Sequence, residues 1–391
     1  MNKRASHIVL NLDDSYGGPA RSIPELMRGM TSSDWAHEVV SLRFKNDERN
    51  ELVERYGLKS ITFPAQLHPK LAYNGSIRDY LVSLKPDLFH CHNIWNYVPI
   101  VTQNVGTQLG IPVILSPRGT LFDWNLKKGY FKKKLYLSLF GNLIFGGAAV
   151  IHATSEEEVD AIRKIAPRSP VALIPNGVDT GEFSELGNRH DHKVALNLNS
   201  KDRHILYMGR IEEKKGLAIL IEAFAAVKNQ NQDWQLLVAG PDYSSTYSVF
   251  CRNLASRLGV AADVRWLGMV KGDSRRNVFG ASDVFVLPTQ SENYGMVIAE
   301  ALSAGIPTVT TVGTPWSVIQ KNGAGVIIKP VVSELVVALE QIFAKNTLEL
   351  EGMAEAAREI ALQNDWSRPS SEMLQVYQWV IGEGSKPDFI F

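Results

Sequence analysis

Cysteine is scarce in this chain. Among its 391 residues there are only two, Cys91 and Cys251, and they lie far apart in sequence. Two distant cysteines cannot form the disulfide framework of a small secreted domain, nor a zinc site of the usual spacing. We therefore expect a protein of a reducing compartment.

An excess of charge of either sign is also absent. Lys+Arg and Asp+Glu number 41 each, so the formal net charge is +0. Binding nucleic acid over a large surface requires a basic footprint, and the balance of charge therefore excludes nucleic acid as the main partner. Local basic patches are compatible with a net charge of zero.

Long hydrophobic runs are missing too. The N-terminus, MNKRASHIVLNLDD, contains an apolar run of a few residues, which is too short for a signal peptide. No stretch is long enough to cross a bilayer. The sequence predicts a cytoplasmic protein that is soluble, or peripheral on the inner face of the membrane.

Three motifs of nucleotide and metal chemistry do not occur: G-x-G-x-x-G, G-x-x-x-x-G-K-[ST] and D-x-D. The first two absences disfavour a dehydrogenase and a P-loop enzyme. Without paired aspartates a metal-held diphosphate is not indicated, so we expect no metal and no resident cofactor.

The hydrophobic residues that are present form short, β-branched runs, which alternate with longer amphipathic stretches. This alternation is typical of parallel βαβ units, so we expect an α/β fold. The predicted strands are HIVLNL (7–12), HEVVSL (37–42), DLFHCH (87–92), PVILS (112–116), AVIHAT (149–154), VALIP (171–175), HILYMG (204–209), WQLLVAG (234–240), VRWLG (264–268), VFVLP (284–288), PTVTTV (307–312) and GVIIKP (325–330).

The length of the chain predicts two domains, because one ordinary core rarely holds so many residues. A polar stretch without pattern at 184–201 is interpreted as the linker. We expect domains at 1–185 and 186–365, both doubly wound and facing each other across a cleft. An amphipathic helix within 366–391 is expected to return to the first domain.

The segment SENYGMVIAEALSAGIP, at 291–307, places polar residues directly before an apolar helix. It follows the strand VFVLP, and ligands of open α/β sheets bind beyond the carboxyl ends of strands. A helix beginning near Gly295 would direct unpaired amides at an anion. Glu292 and Glu300 flank this point. The alternative interpretation is that Glu292 caps the helix and Glu300 is solvated.

The segment GRIEEKKG follows the strand HILYM. Arg210 lies at the strand end, and Lys215 lies at the close of the turn. Their guanidinium and ammonium groups could converge on one phosphate chain. For Glu212, Glu213 and Lys214 we favour a solvated, charged loop.

The first strand–helix turn, SYGGPAR, contains Gly17 and Gly18, which permit close approach of the backbone. Pro19 suits the first position of a helix. A plain turn is the more common explanation of such a pattern.

Taken together, these motifs resemble glycosyltransferase family 4, whose members are retaining, nucleotide-sugar-dependent enzymes of the GT-B fold. GRIEEKKG and the E-x7-E spacing in SENYGMVIAEALSAGIP are similar to the donor half of that family. Further similar motifs run along nearly the whole chain: GGPAR, HCHNIW, SPRGTL, ATSEEE, IPNGVD, WLGMV and NDWS.

The resemblance implies transfer of a hexose from a nucleoside diphosphate sugar to an acceptor hydroxyl, with retention of configuration. Family frequency favours UDP-glucose or a related UDP-sugar over GDP-mannose. The acceptor is expected in polysaccharide or lipid-linked glycan assembly. The residues placed around the donor are Arg210 and Lys215 at the diphosphate, Glu300 at the ribose, Glu292, Asn293, Tyr294, Gly295, Met296 and Val297 at the sugar and phosphates, Gly268, Met269, Val270 and Arg275 at the base, and Gly17 and Gly18 facing the diphosphate across the cleft.

The sequence departs from the family at one position. Many relatives have a histidine after Ser-Pro that reaches the sugar, whereas this chain has Arg118. We place Arg118 with Arg210, Lys215 and Glu292 in the predicted catalytic set; an alternative is that Arg118 binds an acidic acceptor or a phosphate. His90 and His92, on the strand HCHN, are either site residues or satisfied histidines of the core.

The segment LFDWNLKKGYFKKKLYLSLF, at 121–140, mixes five lysines with Phe122, Trp124, Tyr130 and Phe131. Such a segment can lie on an anionic membrane, where lipid-linked acceptors reside. The alternative is a helix with an apolar face on the core and a solvated lysine face.

Two other functions share this pattern: a nucleotide-sugar epimerase on a similar fold and a sugar-nucleotide-binding regulator. An epimerase would need acid and base carboxylates around the sugar and no acceptor. Transfer of label from donor to acceptor separates both from a transferase.

Overall fold

The computed structural model describes residues 3–31, 34–44, 50–66, 71–127, 129–183, 186–242 and 244–391, and the backbone alone of Ser15. The chain divides into two compact units. The first comprises Met1–Gly177 and Trp366–Phe391, and the second comprises Val178–Asp365. The first boundary lies earlier than the 185/186 that we expected, because Phe183 already packs on Phe279 of the second unit, with ring centroids 4.8 Å apart.

A parallel sheet of seven strands forms the centre of the first unit. Its strands are β1 (Lys3–Val9), β2 (Trp35–Arg43), β3 (Lys59–Pro64), β4 (Leu88–His92), β5 (Val113–Ser116), β6 (Val150–Ala153) and β7 (Val171–Leu173). Their order is β3-β2-β1-β4-β5-β6-β7. The order reverses between β1 and β4, and ligands of open α/β sheets bind beside such a reversal.

Helices of the first unit connect these strands. They are α1 (Gly18–Met30), α2 (Glu51–Arg55), α3 (Gly75–Leu84), α4 (Tyr97–Leu109), α5 (Asp123–Lys127), α6 (Tyr130–Gly141), a π-helical segment (Asn142–Gly146) and α7 (Glu156–Ile165). The predicted strands of this unit are all present. β3 was not predicted, because it lies at the sheet edge and each of its residues is at least partly exposed, so it carries no apolar run.

The second unit contains a parallel sheet of six strands. They are β8 (Arg203–Met208), β9 (Trp234–Ala239), β10 (Val264–Gly268), β11 (Val284–Val286), β12 (Thr308–Thr311) and β13 (Gly325–Ile328). The order is β10-β9-β8-β11-β12-β13, which reverses between β8 and β11. GRIEEKKG follows β8 and SENYG follows β11, so the two predicted donor motifs lie on either side of this reversal.

The helices of the second unit cover this sheet, and one more helix follows it in the chain. The helices of the second unit are α8 (Thr180–Phe183), α9 (Arg189–Ala195), α10 (Leu217–Lys228), α11 (Ser245–Arg257), α12 (Gly272–Gly280), α13 (Met296–Ser303), α14 (Val318–Lys321), α15 (Val332–Phe343) and α16 (Thr347–Gln363). The helix that follows them in the chain, α17 (Ser367–Val380), belongs to the first unit. No helix among the described residues is long and apolar enough to cross a membrane.

The stretch interpreted as a linker, 184–201, contains α9 (Arg189–Ala195), so that interpretation was wrong for this part of it; 184–185 lie outside the described residues. The Arg189 guanidinium donates to Asp283 at 2.6 Å, and the Lys193 ammonium donates to the carbonyl of Asp202 at 2.6 Å. The helix is attached through polar side chains, which explains why no hydrophobic pattern revealed it.

The last helix, α17, lies in the first unit. The Trp366 indole N–H donates to the buried carboxylate of Glu25 on α1. The Tyr377 hydroxyl lies 2.8 Å from His90 Nδ1 on β4. Gly29 faces Ser370 so closely that a Cβ there would meet its hydroxyl oxygen at 2.0 Å. The end of the chain is thus packed against both α1 and the sheet of this unit.

An array of histidines fills part of the first unit's sheet: His7, His37, His90, His92 and His152. His7 Nδ1 lies 3.0 Å from His92 Nε2, and His7 Nε2 lies 3.2 Å from His37 Nδ1. Burial is the largest cause that lowers the pKa of each ring. The rings are therefore neutral at pH 7 and act as hydrogen-bonded polar groups of the interior.

Lowering the pH is expected to destabilise the first unit. Burial lowers the pKa of His152 to about 3 and that of His37 to about 4. An unfolded histidine titrates near pH 6.5, so below that pH the unfolded chain binds more protons than the folded one. The stability present above about pH 6.5 is lost as the pH falls towards the folded pKa values, by about 1.4 kcal/mol per pH unit for each such ring. Urea unfolding between about pH 7 and 5 measures this slope.

The variant His152→Gln should make the dependence of stability on pH shallower, by about the contribution of one histidine ring. His190, exposed in α9, provides the matched control, and His190→Gln should leave the slope unchanged. An undiminished slope in His152→Gln would show that this buried ring is not a source of acid sensitivity.

Candidate functional site

The turn between β11 and α13 is held in one conformation. Gly295 has φ 82° and ψ 60°, in the left-handed region that glycine tolerates, and α13 begins at the next residue, close to the predicted start. The Glu292 amide donates to the carbonyl of Gly313 at 2.8 Å, and the Trp316 indole donates to the carbonyl of Tyr294 at 2.5 Å. The first amides of α13 have no intrahelical partner and lie at this turn.

A second loop, between β8 and α10, is joined to that turn. Gly216 has φ 72°, and a Cβ there would lie 2.1 Å from the carbonyl oxygen of Pro288. The carbonyl of Lys214 accepts from the Gln290 amide at 2.8 Å and from the Thr289 hydroxyl at 3.2 Å. The two predicted donor motifs, remote in sequence, are therefore in direct contact within the second unit.

Lys215 and Glu292 meet where these loops touch. Their ammonium nitrogen and carboxylate oxygen are 2.5 Å apart, and both side chains are largely buried. Burial alone would raise the pKa of Glu292, but Lys215 and Lys214 outweigh it and hold that pKa below its usual range. Glu292 is thus ionised and fixes the Lys215 ammonium beside the N-terminus of α13.

A second ion pair lies one turn further along α13. The Arg275 guanidinium, from α12, donates to Glu300, whose side chain is almost completely buried. The alternative in which Glu300 is solvated is therefore wrong. The same guanidinium lies 5.4 Å from the centroid of the Phe279 ring, which limits its motion.

Arg210 lies at the end of β8, as predicted, and pairs with Glu212 at 2.8 Å. The Tyr207 hydroxyl donates to the carbonyl of Arg210 at 3.2 Å. Glu212 is therefore not a solvated residue of a charged loop, contrary to our expectation. Lys214 is also partly buried, and desolvation lowers its pKa, whereas Glu213 is exposed.

Glycines terminate three neighbouring strands of the second sheet: Gly209 after β8, Gly240 after β9 and Gly268 at the end of β10. A Cβ at Gly240 would lie 1.9 Å from the carbonyl oxygen of Gly209, and the Gly240 amide donates to the carbonyl of Gly268 at 2.7 Å. Beyond Gly268, Met269 is exposed and Val270 is buried. The absence of a side chain at Gly240 thus lets the ends of these strands approach each other closely.

The remaining predicted residues lie in the first unit. Gly17, with φ 83° and ψ −137°, is the N-cap of α1, and Gly18 is the first residue of that helix. The Asn50 side chain donates to the carbonyls of Leu12 and Ala20, at 2.8 Å each, and so fixes this turn. The turn follows β1, beside the reversal of strand order.

Arg118 follows β5 in the same unit. Its guanidinium donates to Asn176 Oδ1 at 2.8 Å and to His92 Nδ1 at 3.2 Å. Sequence reasoning missed two neighbours of Arg118. Asn176 lies within the quoted segment IPNGVD, and Ser22, whose hydroxyl is 3.5 Å from the guanidinium, directly follows GGPAR. His90 is a satisfied histidine, between Tyr377 and the Ser116 hydroxyl.

Within the described residues, His7, His90 and His92 form a group whose ring nitrogens could approach one metal ion. Each of these rings already uses both nitrogens in hydrogen bonds. An ion would also lie beside the cationic Arg118, without a carboxylate to balance its charge. The chemistry of this group does not fit a metal site.

Comparison with known proteins agrees with the geometry. Residues 17–177 match the family described as glycosyl transferase 4-like domain, and residues 188–360 match glycosyl transferases group 1. An uncharacterized glycosyltransferase of Methanocaldococcus jannaschii is 23% identical over 384 residues, covering 93% of this chain and 94% of that protein. A phosphatidyl-myo-inositol mannosyltransferase of Mycobacterium tuberculosis is 28% identical over 226 residues, covering 56% of each.

Among solved structures, Anabaena Alr3699/HepE, in complex with UDP and glucose, is similar with a TM-score of 0.78 at 18% identity, covering 96% of this chain and 100% of that one. At this identity the likeness shows the fold, which is the pair of Rossmann-like domains of GT-B glycosyltransferases. The resemblance seen in the motifs is confirmed along both halves of the chain. The chain belongs to the GT4-type glycosyltransferases.

Proposed function

We propose that the protein transfers a hexose from a nucleoside diphosphate sugar to an acceptor hydroxyl. The bond between the anomeric carbon and the diphosphate breaks, a bond to the acceptor oxygen forms, and the nucleoside diphosphate leaves. The observation that carries this proposal is the arrangement at α13, where Lys215–Glu292 lies directly before the helix and Arg275–Glu300 lies one turn into it. Retention of configuration is proposed from family membership.

The diphosphate is proposed to bind at the N-terminus of α13. Helix amides that lack partners attract anions, and Arg210 and Lys215 add positive charge beside them. The amides of Met296 and Val297 begin the helix, and those of Asn293, Tyr294 and Gly295 precede it on the same turn. Negative charge grows on the leaving diphosphate as the bond breaks, so preorganised cations lower the barrier without a metal. Glu292 acts by positioning Lys215 and by accepting from the sugar.

Ribose and base are proposed to bind further along the same edge of the sheet. Glu300 can accept hydrogen bonds from ribose hydroxyls with one carboxylate oxygen while Arg275 holds the other. The base is proposed to lie at the end of β10, where Gly268 is followed by the exposed Met269 and the buried Val270. These roles follow the family pattern and agree with the burial of Glu300.

The donor is proposed to be UDP-glucose or a related UDP-sugar. The HepE complex with UDP and glucose supports this choice. The Mycobacterium tuberculosis relative is named a mannosyltransferase, which supports GDP-mannose as the second candidate. A thermal-shift panel of UDP- and GDP-sugars ranks the donors, because a ligand at about a hundred times its Kd adds about 2.7 kcal/mol of stability. Label must then pass from the best donor to an acceptor; retention of all label on the donor sugar would overturn the proposal.

The acceptor is proposed to be a glycan or a lipid-linked glycan at the inner face of a membrane. On α6, Phe131, Leu135 and Leu139 are spaced by four residues and are 84%, 61% and 64% exposed. Lys132 and Lys134 project from the same helix and are also exposed. A row of large apolar side chains beside lysines is typical of helices that lie in an anionic interface.

The opposite face of α6 packs on the core through Tyr136, Leu137 and Phe140, as the alternative interpretation of this segment requires. That interpretation does not account for the exposed apolar row. Both faces of the helix are thus apolar, and the exposed face with Phe131, Leu135 and Leu139 is the one proposed to bind the membrane. Lys128, which belongs to the predicted segment, lies outside the described residues.

Lys215→Ala is expected to lower turnover by about 100-fold, as for loss of one preorganised donor, and to weaken donor binding less. The double change Lys215→Ala with Glu292→Gln avoids leaving a buried carboxylate unpaired. It should restore stability without restoring turnover. Steady-state kinetics, calorimetric titration of the donor and melting temperatures measure these effects.

Lys321→Ala, an exposed lysine of α14, serves as the matched control and should change neither quantity. Transfer by the natural protein should continue in excess EDTA. If chelation abolishes transfer while Lys215→Ala keeps full turnover, the cationic mechanism is wrong.

Replacement of Phe131, Leu135 and Leu139 by glutamine should reduce binding to phosphatidylglycerol vesicles. Burying such side chains in the interface drives binding by about 0.8 kcal/mol per CH2 group, and lysines add to it at low salt. Co-sedimentation at low and high salt measures both contributions. The control is Leu348→Gln, which removes an exposed leucine from α16. Equal binding by the triple variant and the natural protein would refute membrane docking through α6.

A further inference from the structure

Five segments of the first unit meet around Arg118 and the turn that carries it. Ser22 lies in the first turns of α1, His92 ends β4, Arg118 follows β5 and Asn176 follows β7. The guanidinium contacts these three neighbours at 3.5, 3.2 and 2.8 Å, respectively. The fifth segment contributes Glu158, as described next. All five lie at the carboxyl edge of one parallel sheet, where ligands of this fold class bind.

The backbone at Arg118 is strained. Its φ is 57°, in the left-handed region that few residues other than glycine adopt, and Gly119 continues there with φ 73°. The fully buried Glu158, in the first turn of α7, accepts from the Gly119 amide and from the Thr154 amide and hydroxyl. A buried carboxylate therefore holds this turn. Strain that the surroundings impose in this way is found mainly at functional positions.

Within the part of the chain that the structure describes, Arg118 forms no ion pair. Its hydrogen-bond partners among the described residues are neutral: a hydroxyl, an amide and an imidazole. Glu158 raises the pKa of Arg118 from a distance, but burial outweighs it and lowers that pKa to about 10, so the group is charged at pH 7. A partly buried, unpaired guanidinium is unfavourable unless an anion completes its surroundings.

The hydrogen-bonding capacity of the Arg118 guanidinium also leaves donors for an anion. A guanidinium has five N–H donors, of which three have partners here. The Nε–H is buried and has no acceptor among the described residues. Because a guanidinium only donates, His92 Nδ1 must accept, and its proton lies on Nε2, directed at His7. Neutral histidines thus fix the orientation of Arg118 without neutralising it, and donors remain for a planar or tetrahedral anion.

We infer that Arg118 is the anchor of an anion site in the first unit, which takes a phosphate or carboxylate group of a substrate. The inference rests on the proposed function, since that function defines the substrates. Two sources of this anion exist: the diphosphate of the donor and an anionic group of the acceptor. A histidine at this position would lose its charge on burial, so arginine changes the chemistry of the site from a neutral donor to a permanent cation.

The test compares Arg118→Gln and Arg118→Lys with the natural protein by calorimetric titration. The probe for the donor is UDP; the probe for the acceptor is a short-chain alkyl diphosphoglucose, with the uncharged alkyl glucoside of equal chain length beside it. Arg118→Gln should weaken one of the charged probes by about tenfold or more, as for lost hydrogen bonds to a charged group, and should leave the alkyl glucoside unchanged. Arg118→Lys keeps the charge and should lose less.

The matched control is Arg163→Gln. Arg163 is a partly buried arginine of the same unit, but its guanidinium donates to the carbonyls of Pro167, Ser169 and Phe391 and to none of the neighbours of Arg118. This variant should bind both probes as the natural protein does. Without ligand, Arg118→Gln should melt no lower than the natural protein, because an unpaired buried charge is removed.

Weaker binding of UDP assigns the anion to the donor, and weaker binding of the alkyl diphosphoglucose assigns it to the acceptor. If both affinities stay within about twofold, or if only stability falls, Arg118 is a structural residue and the inference is overturned. In that case, the proposed function would still stand if the natural protein binds UDP and the Glu300→Ala variant does not.

Discussion

The close approach of Gly216 to the carbonyl of Pro288 determines how the second unit presents its charged groups. A side chain at that position would collide with the backbone of the following loop, and the two loops would separate. With glycine there, the Lys214 carbonyl can accept from the Gln290 amide, and the Lys215 ammonium reaches Glu292. The contact lies beside the reversal of strand order, where the fold leaves room for a ligand.

The ion pairs at α13 are poorly explained as stabilising elements. Burying two charges requires desolvation that their attraction often fails to recover, so a buried pair is weak evidence for a role in stability. Lys215–Glu292 nevertheless lies directly before α13, and Arg275–Glu300 lies one turn into the same helix. The proposed role in substrate binding accounts for them better, since such pairs hold cations and carboxylates in fixed positions. Arg118 differs from them because its hydrogen-bond partners among the described residues are all neutral.

Much of the fold could be predicted from the sequence, because buried parallel strands appear as short, continuous apolar runs. Elements attached through polar contacts could not. The strand β3 lies at an edge and is nowhere fully buried, and α9 is held by Arg189 and Lys193, so neither has a hydrophobic signature. The fold class and the family are confirmed, while the first domain boundary had to be moved.

The candidate site could be predicted in part. Local motifs identified the residues after β8 and β11, and their contact follows from the strand order, which the sequence does not display directly. The pairing of Arg210 with Glu212 and the partial burial of Lys214 depend on how the loop folds back, so they were missed. The surroundings of Arg118 come from segments remote in sequence, and no spacing rule reveals them. The roles of all these residues toward substrate stay predictions.

The most direct test of the account is a calorimetric titration of UDP into the natural protein and into Glu300→Ala. The account places the ribose on the buried Glu300 carboxylate, and hydrogen bonds to a charged group contribute about 1.5–3 kcal/mol each. It predicts that the natural protein binds UDP and that Glu300→Ala remains folded and binds it about ten- to a hundredfold more weakly. An unchanged Kd in a folded Glu300→Ala variant would contradict the assignment of this site to the nucleotide sugar.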